Sequence, residues 1–285
     1  MKKKNYLNVL SWKIKRKIVD PALWSFYFTL FPGGSKTPPA SAGHYSICVT
    51  TFLFRFERFL QPLVKKLAYL FSGQEIIVIA NGHYDLQAQE AYIQSLKAFL
   101  SGFPEVRLIY FMEPRGLSFL WNQAVVNSQY EKVFILNDDL DLSVHLRKEI
   151  EASPALDYPV VTNEGSWSQF MITKQAYRLI GPFDEGLREI GGEDDDYLIR
   201  MKLLGLEDKK MAFRHIYGKR GARVKVNSYG KVPRDQEGGY STYNTKYLET
   251  KWEKSLQPIE GGVFVRGFYW AERRADGQKA PSGGY

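Results

Sequence analysis

The chain has 285 residues, 44% of them hydrophobic and 15% aromatic, which is enough for one large α/β domain with extensions or for two small domains. Its single cysteine, Cys48, excludes an internal disulfide, so the fold does not need an oxidising compartment. The formal net charge is +8, and residues 1–20 alone carry seven Lys or Arg residues and one Asp. A nucleic-acid-binding domain spreads its basic charge over one face, so this distribution argues against a nucleic-acid partner.

Residues 1–32 form an arm that is basic and rich in aromatic side chains. Apolar residues recur in it at helical spacing, at Leu7, Leu10, Ile14 and Ile18, and a further apolar run follows over residues 21–31. This run is too short to cross a bilayer, which takes roughly 20 apolar residues, and it lacks the small-residue cleavage site of a signal peptide. Two interpretations stay open: a helix in the interface of an anionic membrane, or a helix packed on the protein body.

Residues 33–43 are rich in Gly, Pro and Ser and predict a linker to a catalytic domain over residues 44–255. In that domain, apolar runs typical of buried strands alternate with segments of helical periodicity. The predicted strands lie at 45–51, 75–80, 106–111 and 133–136, and the predicted helices between them at 54–71, 88–100 and 117–128. This alternation predicts an α/β fold with a mostly parallel sheet and helices on both faces.

The second half of the domain has a less regular pattern. It predicts further strands at 158–162, 169–172 and 210–217, and helices at 146–152, 174–180, 193–204 and 243–254. Residues 218–240 predict a loop rich in Gly, Lys and Arg, and residues 256–285 a C-terminal extension and tail.

A dense acidic cluster follows the fourth predicted strand and comprises Asn137, Asp138, Asp139 and Asp141. Ligands of open α/β sheets bind beyond the carboxyl ends of the strands, so these side chains stand where a ligand would lie. Carboxylates this close repel each other unless a cation lies among them, and oxygen ligands suit Mg²⁺ or Mn²⁺ that also binds phosphates. The alternative is an acidic turn after an edge strand, since Asp and Asn commonly form turns.

Four segments in chain order resemble motifs of GT-A glycosyltransferases, in particular the large inverting family 2. The first is a helix containing Gly and Asn (116–124), followed by the strand that ends in the D-x-D-like Asn137-Asp138-Asp139. The other three are a G-x-F-D-E turn (180–185), an E-D-x-D-x-x-x-R helix start (193–200) and a closing K-W segment (243–252). The resemblance covers residues 45–252 and implies the GT-A fold, which is a Rossmann-like α/β fold.

The resemblance also implies an activity. The protein would be an inverting, metal-dependent glycosyltransferase that moves a sugar from a nucleotide-sugar donor to a saccharide or glycolipid acceptor in surface polysaccharide synthesis. A divalent cation, Mn²⁺ or Mg²⁺, would neutralise the departing diphosphate. A carboxylate would take the proton of the acceptor hydroxyl as general base. With the membrane interpretation of the arm, the protein would be cytoplasmic and peripheral on the inner face of the membrane.

By the same resemblance, roles fall on particular residues. The catalytic base is Asp194, with Glu193 as second choice, although acidic residues in a first turn also suit the helix dipole. The donor is bound by Thr51, Asn81, Asn122, Asn137 and Asp138. The metal would be held by Asp139, Asp141 and His215, although a lone His is more often structural. Trp167 would stack on the acceptor sugar, or it is an ordinary core or rim aromatic. The basic residues of the late loop, which either close over the diphosphate or form a solvated loop, are Lys219, Arg220, Arg223 and Lys225.

The sequence departs from the family pattern at two places. The family often ends its second strand in Asp-Asn-Gly-Ser, whereas this chain has Ala80-Asn81-Gly82-His83, which leaves no carboxylate there for the nucleobase. Asp139-Leu140-Asp141 is also a literal D-x-D, so the operative acidic pair is Asp139 with either Asn137 or Asp141. The alternative functions are a nucleotidyltransferase and a catalytically inactive sugar-nucleotide-binding protein on the same fold.

Overall fold

The computed structural model describes residues 15–30, 43–188, 190–218 and 242–253. Predictions for the beginning of the arm, for nearly all of the linker 33–43 and for the tail 256–285 concern residues outside these ranges. The same is true of the four basic residues of the late loop, Lys219, Arg220, Arg223 and Lys225.

Nine strands belong to the described residues: β1 (Ser46–Thr51), β2 (Glu75–Ala80), β3 (Val106–Tyr110), β4 (Lys132–Asn137), β5 (Leu140–Leu142), β6 (Val160–Asn163), β7 (Ser166–Thr173), β8 (Lys209–Met211) and β9 (Ile216–Gly218). Seven of them form one sheet in the order β3-β2-β1-β4-β7-β6-β8. Strands β3, β2, β1 and β4 run parallel, β7 lies antiparallel to both β4 and β6, and β8 pairs parallel with β6. Strands β5 and β9 form a separate antiparallel ribbon.

Eight α-helices belong to the same residues: α1 (Asp20–Leu30), α2 (Gln61–Leu70), α3 (Leu86–Leu100), α4 (Leu117–Asn127), α5 (Leu146–Ala152), α6 (Lys174–Ile180), α7 (Glu193–Leu203) and α8 (Thr242–Glu253). Helices α2, α3 and α5 pack on one face of the sheet, and α4, α6 and α7 pack on the other. We call the hydrophobic core on the side of α2, α3 and α5 the first core, and the one on the side of α4, α6 and α7 the second core. In β1, Ile47 and Val49 belong to the first core and Cys48 belongs to the second. Because both faces are covered, the central strands β1, β2 and β4 are buried over nearly their whole length, and the predicted mostly parallel α/β fold is confirmed.

Two predicted elements differ from the structure. The predicted helix 54–71 begins with a 3-10 turn (Leu53–Arg55) and a π turn (Phe56–Leu60) before α2. The predicted strand 210–217 is divided between β8 and β9, which belong to different sheets. Phe213 lies between β8 and β9 and packs in the first core against Phe134, with 6.1 Å between the ring centroids. Burial of this aromatic ring therefore interrupts the predicted strand.

The last described helix, α8, is fastened to the body by a buried carboxylate. Asp196, in the first turn of α7, is fully buried and accepts hydrogen bonds from Lys251 Nζ (2.6 Å), Trp252 Nε1 (3.1 Å) and Arg200 Nε (2.9 Å). Lys251 Nζ also donates to Asp184 at 2.6 Å. Three of the four segments that carry the family resemblance therefore meet in one network of ion pairs, whose evident role is to hold α8 in place.

Replacing Asp196 by Ala should lower the free energy of unfolding by about 3–5 kcal/mol, the usual cost of breaking a buried ion pair, because Lys251 and Arg200 lose their shared partner. Urea denaturation measures the loss. The exposed Glu207 in Glu207→Ala is the matched control and should change the free energy by less than about 0.5 kcal/mol. Equal stability of the two variants would contradict the anchoring role of Asp196.

Candidate functional site

The strand order reverses between β1 and β4, in the parallel part of the sheet. From β1 the chain proceeds outward to β2 and β3 and then returns to place β4 on the other side of β1. At the carboxyl ends of this central pair, Thr50 lies beside Asn137 in register. Open α/β sheets bind ligands in the crevice outside such a reversal point.

A cavity of about 200 Å³ opens at this point. It is lined by the ends of β1, β2 and β4, by the start of α4 and by the loop before α7, namely by Thr50, Thr51, Phe52, Arg55, Asn81, Leu117, Leu120, Asn137, Asp138, Asp139 and Ile190. Five of the residues predicted for the donor and metal therefore share one cavity. Ile190 also lines the cavity and precedes Glu193, the first residue of α7, by three positions.

Asp138 is the most deeply buried carboxylate of the cavity. Its Oδ2 accepts a hydrogen bond from Thr51 Oγ1 at 2.7 Å, and its Oδ1 accepts one from Arg55 Nε at 2.6 Å. Burial raises the pKa of Asp138 to about 6, and the positive charge of Arg55 limits the rise. Both carboxylate oxygens thus accept hydrogen bonds within the protein, and Asp138 joins Thr51 to Arg55 within the site.

Arg55 is the functional residue that the sequence interpretation missed. Its Nη2 lies 3.2 Å from Asp139 Oδ2, and its guanidinium is also 4.7 Å from the Phe59 ring centroid. The cation that the clustered carboxylates require is therefore supplied in part by an arginine that lies 83 residues before Asp138 in the chain. The sequence signal for Arg55 is its position just past the end of β1. The helical periodicity of residues 54–71 instead assigned it to one face of a predicted helix.

A metal cage made of protein side chains alone is not formed among the described residues, where no three His, Cys, Asp or Glu side chains are arranged to hold an ion. Asp139 still has 28% of its side chain exposed at the cavity. Mg²⁺ and comparable cations commonly bind one or two carboxylates, several waters and the substrate phosphates. The residues fit a cation of that kind, bound by Asp139 together with a diphosphate.

Asp141 and His215 do not join Asp139, which corrects the predicted three-residue metal site. Asp141 lies in β5 and forms an ion pair with Lys66 of α2. His215 lies in the turn before β9, not within a strand, and its Nδ1 is 3.5 Å from Lys15 Nζ. Burial lowers the pKa of His215, and the charge of Lys15 lowers it further. Because each of the two side chains faces a lysine, they belong to the packing around the β5–β9 ribbon.

Two of the three predicted donor-binding asparagines, Asn81 and Asn122, have different surroundings. Asn81 lines the cavity, and its side chain also binds the backbone of Arg115 through Nδ2 to the carbonyl (2.8 Å) and Oδ1 to the N–H (2.9 Å). Asn122 points elsewhere. Its amide binds both the N–H and the carbonyl of Phe183 and also Glu185 and Tyr177, so it ties α4 to the turn that resembles G-x-F-D-E.

Glu193 and Asp194 open α7 after a pair of glycines. Gly191 and Gly192 have φ values of 117° and 91°, which side chains other than glycine rarely adopt. Glu193 is buried and accepts a hydrogen bond from Gly191 N at 2.7 Å. Burial raises the pKa of Glu193 to about 8, and the charge of Asp194 adds to the rise. Asp194 is half-buried and follows the N-cap residue Gly192 by two positions, so it is not the helix cap.

Trp167, predicted to stack on an acceptor sugar, lies in the second core with only 4% of its surface exposed. Its ring is enclosed by the side chains of Trp121, Phe170, Phe183 and Tyr197. Neither face of the indole is open to a sugar, so the acceptor must be held by other groups.

No family model and no curated protein matches the chain. Solved structures similar to it include the mannosyltransferase PcManGT from Pyrobaculum calidifontis in complex with GDP-Man and Mn²⁺, with 12% identity over 85% of this chain and 73% of that chain, TM-score 0.49. GalNAc-T7 with UDP, GalNAc and Mn²⁺ has 13% identity over 74% of this chain and 49% of its own, TM-score 0.46. S. aureus TarS 1-349 has 15% identity over 62% of this chain and 60% of its own, TM-score 0.47.

The chain thus spans about half the length of the GalNAc-T7 chain and 60% of TarS 1-349. All three TM-scores lie below 0.5. The function proposed below therefore rests on the residues of this chain.

The pKa of Glu193 gives the folding stability a pH dependence. A group whose pKa is higher in the folded state stabilises the protein fully below its unfolded pKa and loses that contribution as the pH rises through the folded value. The free energy of unfolding should therefore fall between about pH 5 and about pH 9 in the wild type, and less in Glu193→Gln, which has no proton to lose. Urea denaturation at both pH values measures this.

The exposed Glu207 serves as the control, because Glu207→Gln should reproduce the wild-type fall. An identical pH dependence in Glu193→Gln and the wild type would show that Glu193 ionises normally in the folded protein.

Proposed function

We propose that this protein is an inverting glycosyltransferase that moves a sugar from a nucleotide-sugar donor to a saccharide or glycolipid acceptor in surface polysaccharide synthesis. The observation that carries the proposal is the cavity at the β1–β4 reversal point, which is lined by Asp138, Asp139 and Arg55 and also by Ile190, three residues before Glu193. The catalytic domain would comprise residues 44–255.

The donor side of the cavity supplies what a departing diphosphate needs. Asp139 would hold Mn²⁺ or Mg²⁺ jointly with the diphosphate, and the cation would supply Lewis-acid stabilisation of the leaving group. Arg55 adds a positive charge beside Asp139, and its ion pairs with Asp138 and Asp139 hold it in place. Thr51, Asn81 and Asn137 contribute polar groups around the nucleotide.

The acceptor side needs a carboxylate that is ionised at neutral pH. Buried Glu193 has its pKa raised to about 8, so it is largely protonated at neutral pH and cannot take the acceptor proton. Half-buried Asp194 is the better candidate for the base, because it is the more exposed of the two. Direct attack by the deprotonated acceptor hydroxyl inverts the anomeric centre and requires no covalent intermediate, so the protein needs no nucleophilic side chain.

Arg55 also favours a second candidate, a nucleotidyltransferase, because such enzymes carry a Lys or Arg in the loop after the first strand. That loop is expected to be rich in glycine, whereas residues 52–54 here are Phe52, Leu53 and Phe54. The two candidates differ in their ligand: a nucleotidyltransferase binds a nucleoside triphosphate, and a glycosyltransferase binds a nucleoside diphosphate and its sugar conjugate.

The donor side can be tested by thermal shift with UDP and GDP, each with Mn²⁺ or with EDTA, and with the triphosphates for comparison. Ligand at about 100 times its Kd stabilises the folded state by about 2.7 kcal/mol. In the wild type, the diphosphate of the correct base should raise Tm more with Mn²⁺ than with EDTA. Asp139→Asn should lose this Mn²⁺-dependent increment.

The matched control is Asp141→Asn, which removes a carboxylate two residues away that pairs with Lys66. It should keep the Mn²⁺-dependent increment. A full increment in Asp139→Asn, or its loss only in Asp141→Asn, would contradict the role of Asp139, and stabilisation by triphosphates alone would favour a nucleotidyltransferase.

The acceptor side can be tested by Asp194→Asn, which keeps the size of the side chain but cannot accept a proton. Turnover of the nucleotide sugar selected by the thermal-shift screen should fall by roughly 10²–10⁴-fold, the usual contribution of a general base. Diphosphate binding should stay within a few-fold of the wild type. Steady-state kinetics and calorimetry measure the two quantities.

Glu207→Gln serves as the surface control and should turn over normally. Near-normal turnover in Asp194→Asn would reject Asp194 as the base, and a loss confined to Glu193→Gln would move that role to Glu193. A wild type that binds the nucleotide sugar but turns over none would instead identify a sugar-nucleotide-binding protein without catalysis.

A further inference from the structure

Helix α1 and the π turn before it (Lys15–Val19) have two faces with opposite surroundings. One face is buried on the protein body, and the other is exposed and carries several apolar side chains. The sequence left open whether this helix binds a membrane or packs on the domain. Among the described residues, Asp20 and Trp24 of this segment are buried on the body, whereas Ile18, Val19 and Phe26 are exposed.

The packed face is centred on Trp24, which is 3% exposed. Its indole Nε1 donates a hydrogen bond to the carbonyl of Leu142 in β5 at 2.6 Å, and Lys66 Nζ lies 5.0 Å from its ring centroid. One turn earlier, buried Asp20 accepts a hydrogen bond from Ser143 Oγ at 3.1 Å. The helix is therefore attached to the β5–β9 ribbon by directed bonds as well as by apolar burial.

The opposite face presents Ile18, Val19 and Phe26 with exposed fractions of 64%, 42% and 58%. Ala22 is also exposed and lies between Ile18 and Phe26 at the i+4 spacing of a helical stripe. Single exposed apolar side chains are ordinary on protein surfaces, but a row of them on one helix face favours an interaction surface.

The charge of the sequence that leads into α1 indicates what this face binds. Residues 1–20 carry seven Lys or Arg residues against one Asp, and that Asp, Asp20, is turned inward to Ser143. A helix with an apolar face and an excess of basic residues suits the interface of a bilayer with anionic headgroups, which attracts each Lys or Arg near its surface. A second copy of this chain would bring the same positive charge to the contact, so charge complementarity favours the lipid.

We propose that α1 docks the protein on an anionic lipid bilayer through Ile18, Val19 and Phe26 while Trp24 keeps the helix on the body. None of the described helices is long and apolar enough to cross a membrane, so docking would be peripheral. Leu142, which receives the Trp24 hydrogen bond, is three residues from Asp139. The docked helix would therefore be joined rigidly to the segment that carries the candidate site, within reach of an acceptor held in the same bilayer.

The test is co-sedimentation of the full-length protein with vesicles of phosphatidylcholine alone or of equal parts phosphatidylcholine and phosphatidylserine. The wild type should sediment with the anionic vesicles only, and less at about 1 M salt, where the Debye length is about 3 Å. The double variant Ile18→Glu/Phe26→Glu should weaken binding by at least about tenfold, because both side chains lose their apolar insertion and gain a repelled charge.

The matched control is Val126→Glu/Leu179→Glu, which changes two apolar residues of other helices that are 64% and 61% exposed. It should sediment like the wild type. Thermal shift with the nucleoside diphosphate should be unchanged in both double variants, so membrane docking and donor binding are tested separately.

Equal sedimentation of Ile18→Glu/Phe26→Glu and the wild type, equal loss in the control, or a wild type that does not bind anionic vesicles would overturn the proposal. A change from dimer to monomer in Ile18→Glu/Phe26→Glu by light scattering, without vesicle binding by the wild type, would overturn it in favour of a second copy of the chain.

Discussion

The candidate site depends on one interaction, the bridge from Arg55 to Asp138 and Asp139. Two adjacent carboxylates at the end of a buried strand repel each other and lose hydration, so they need a counter-charge in the fold itself. Arg55 provides it by binding Asp138 through Nε and Asp139 through Nη2. Both oxygens of Asp138 already accept hydrogen bonds, from Thr51 and from Arg55. Asp139 is therefore the carboxylate that is left to share a cation with a diphosphate.

The acidic residues at the start of α7 also differ in their surroundings. Asp196 is fully buried and binds Lys251 and Trp252 of α8, Glu193 is buried with a raised pKa, and Asp194 is half-buried. Motif residues that look equivalent in the sequence thus differ in burial and in their partners in the fold.

The arm and the site are connected through β5. Trp24 bonds to Leu142, and Lys66 contacts both the Trp24 ring and Asp141. Asp141 and Leu142 follow Asp139 by two and three positions in the chain. A literal D-x-D reading of Asp139-Leu140-Asp141 therefore joins two carboxylates that belong to different surroundings. Alternation along a strand sends residues two apart to the same face, but the turn after β4 breaks that rule before Asp141.

The sequence by itself determined the α/β class, the parallel strands β1 to β4, and the position of the acidic groups at a strand end and a helix start. These features follow from local periodicity and from the rule that ligands bind beyond the carboxyl ends of strands. Only the tertiary structure decided that Arg55 neutralises Asp138, that His215 faces Lys15, and that Trp167 is enclosed in a core. Each of these depends on contacts between side chains far apart in sequence, and local patterns carry no information about which distant charge or ring will become the neighbour.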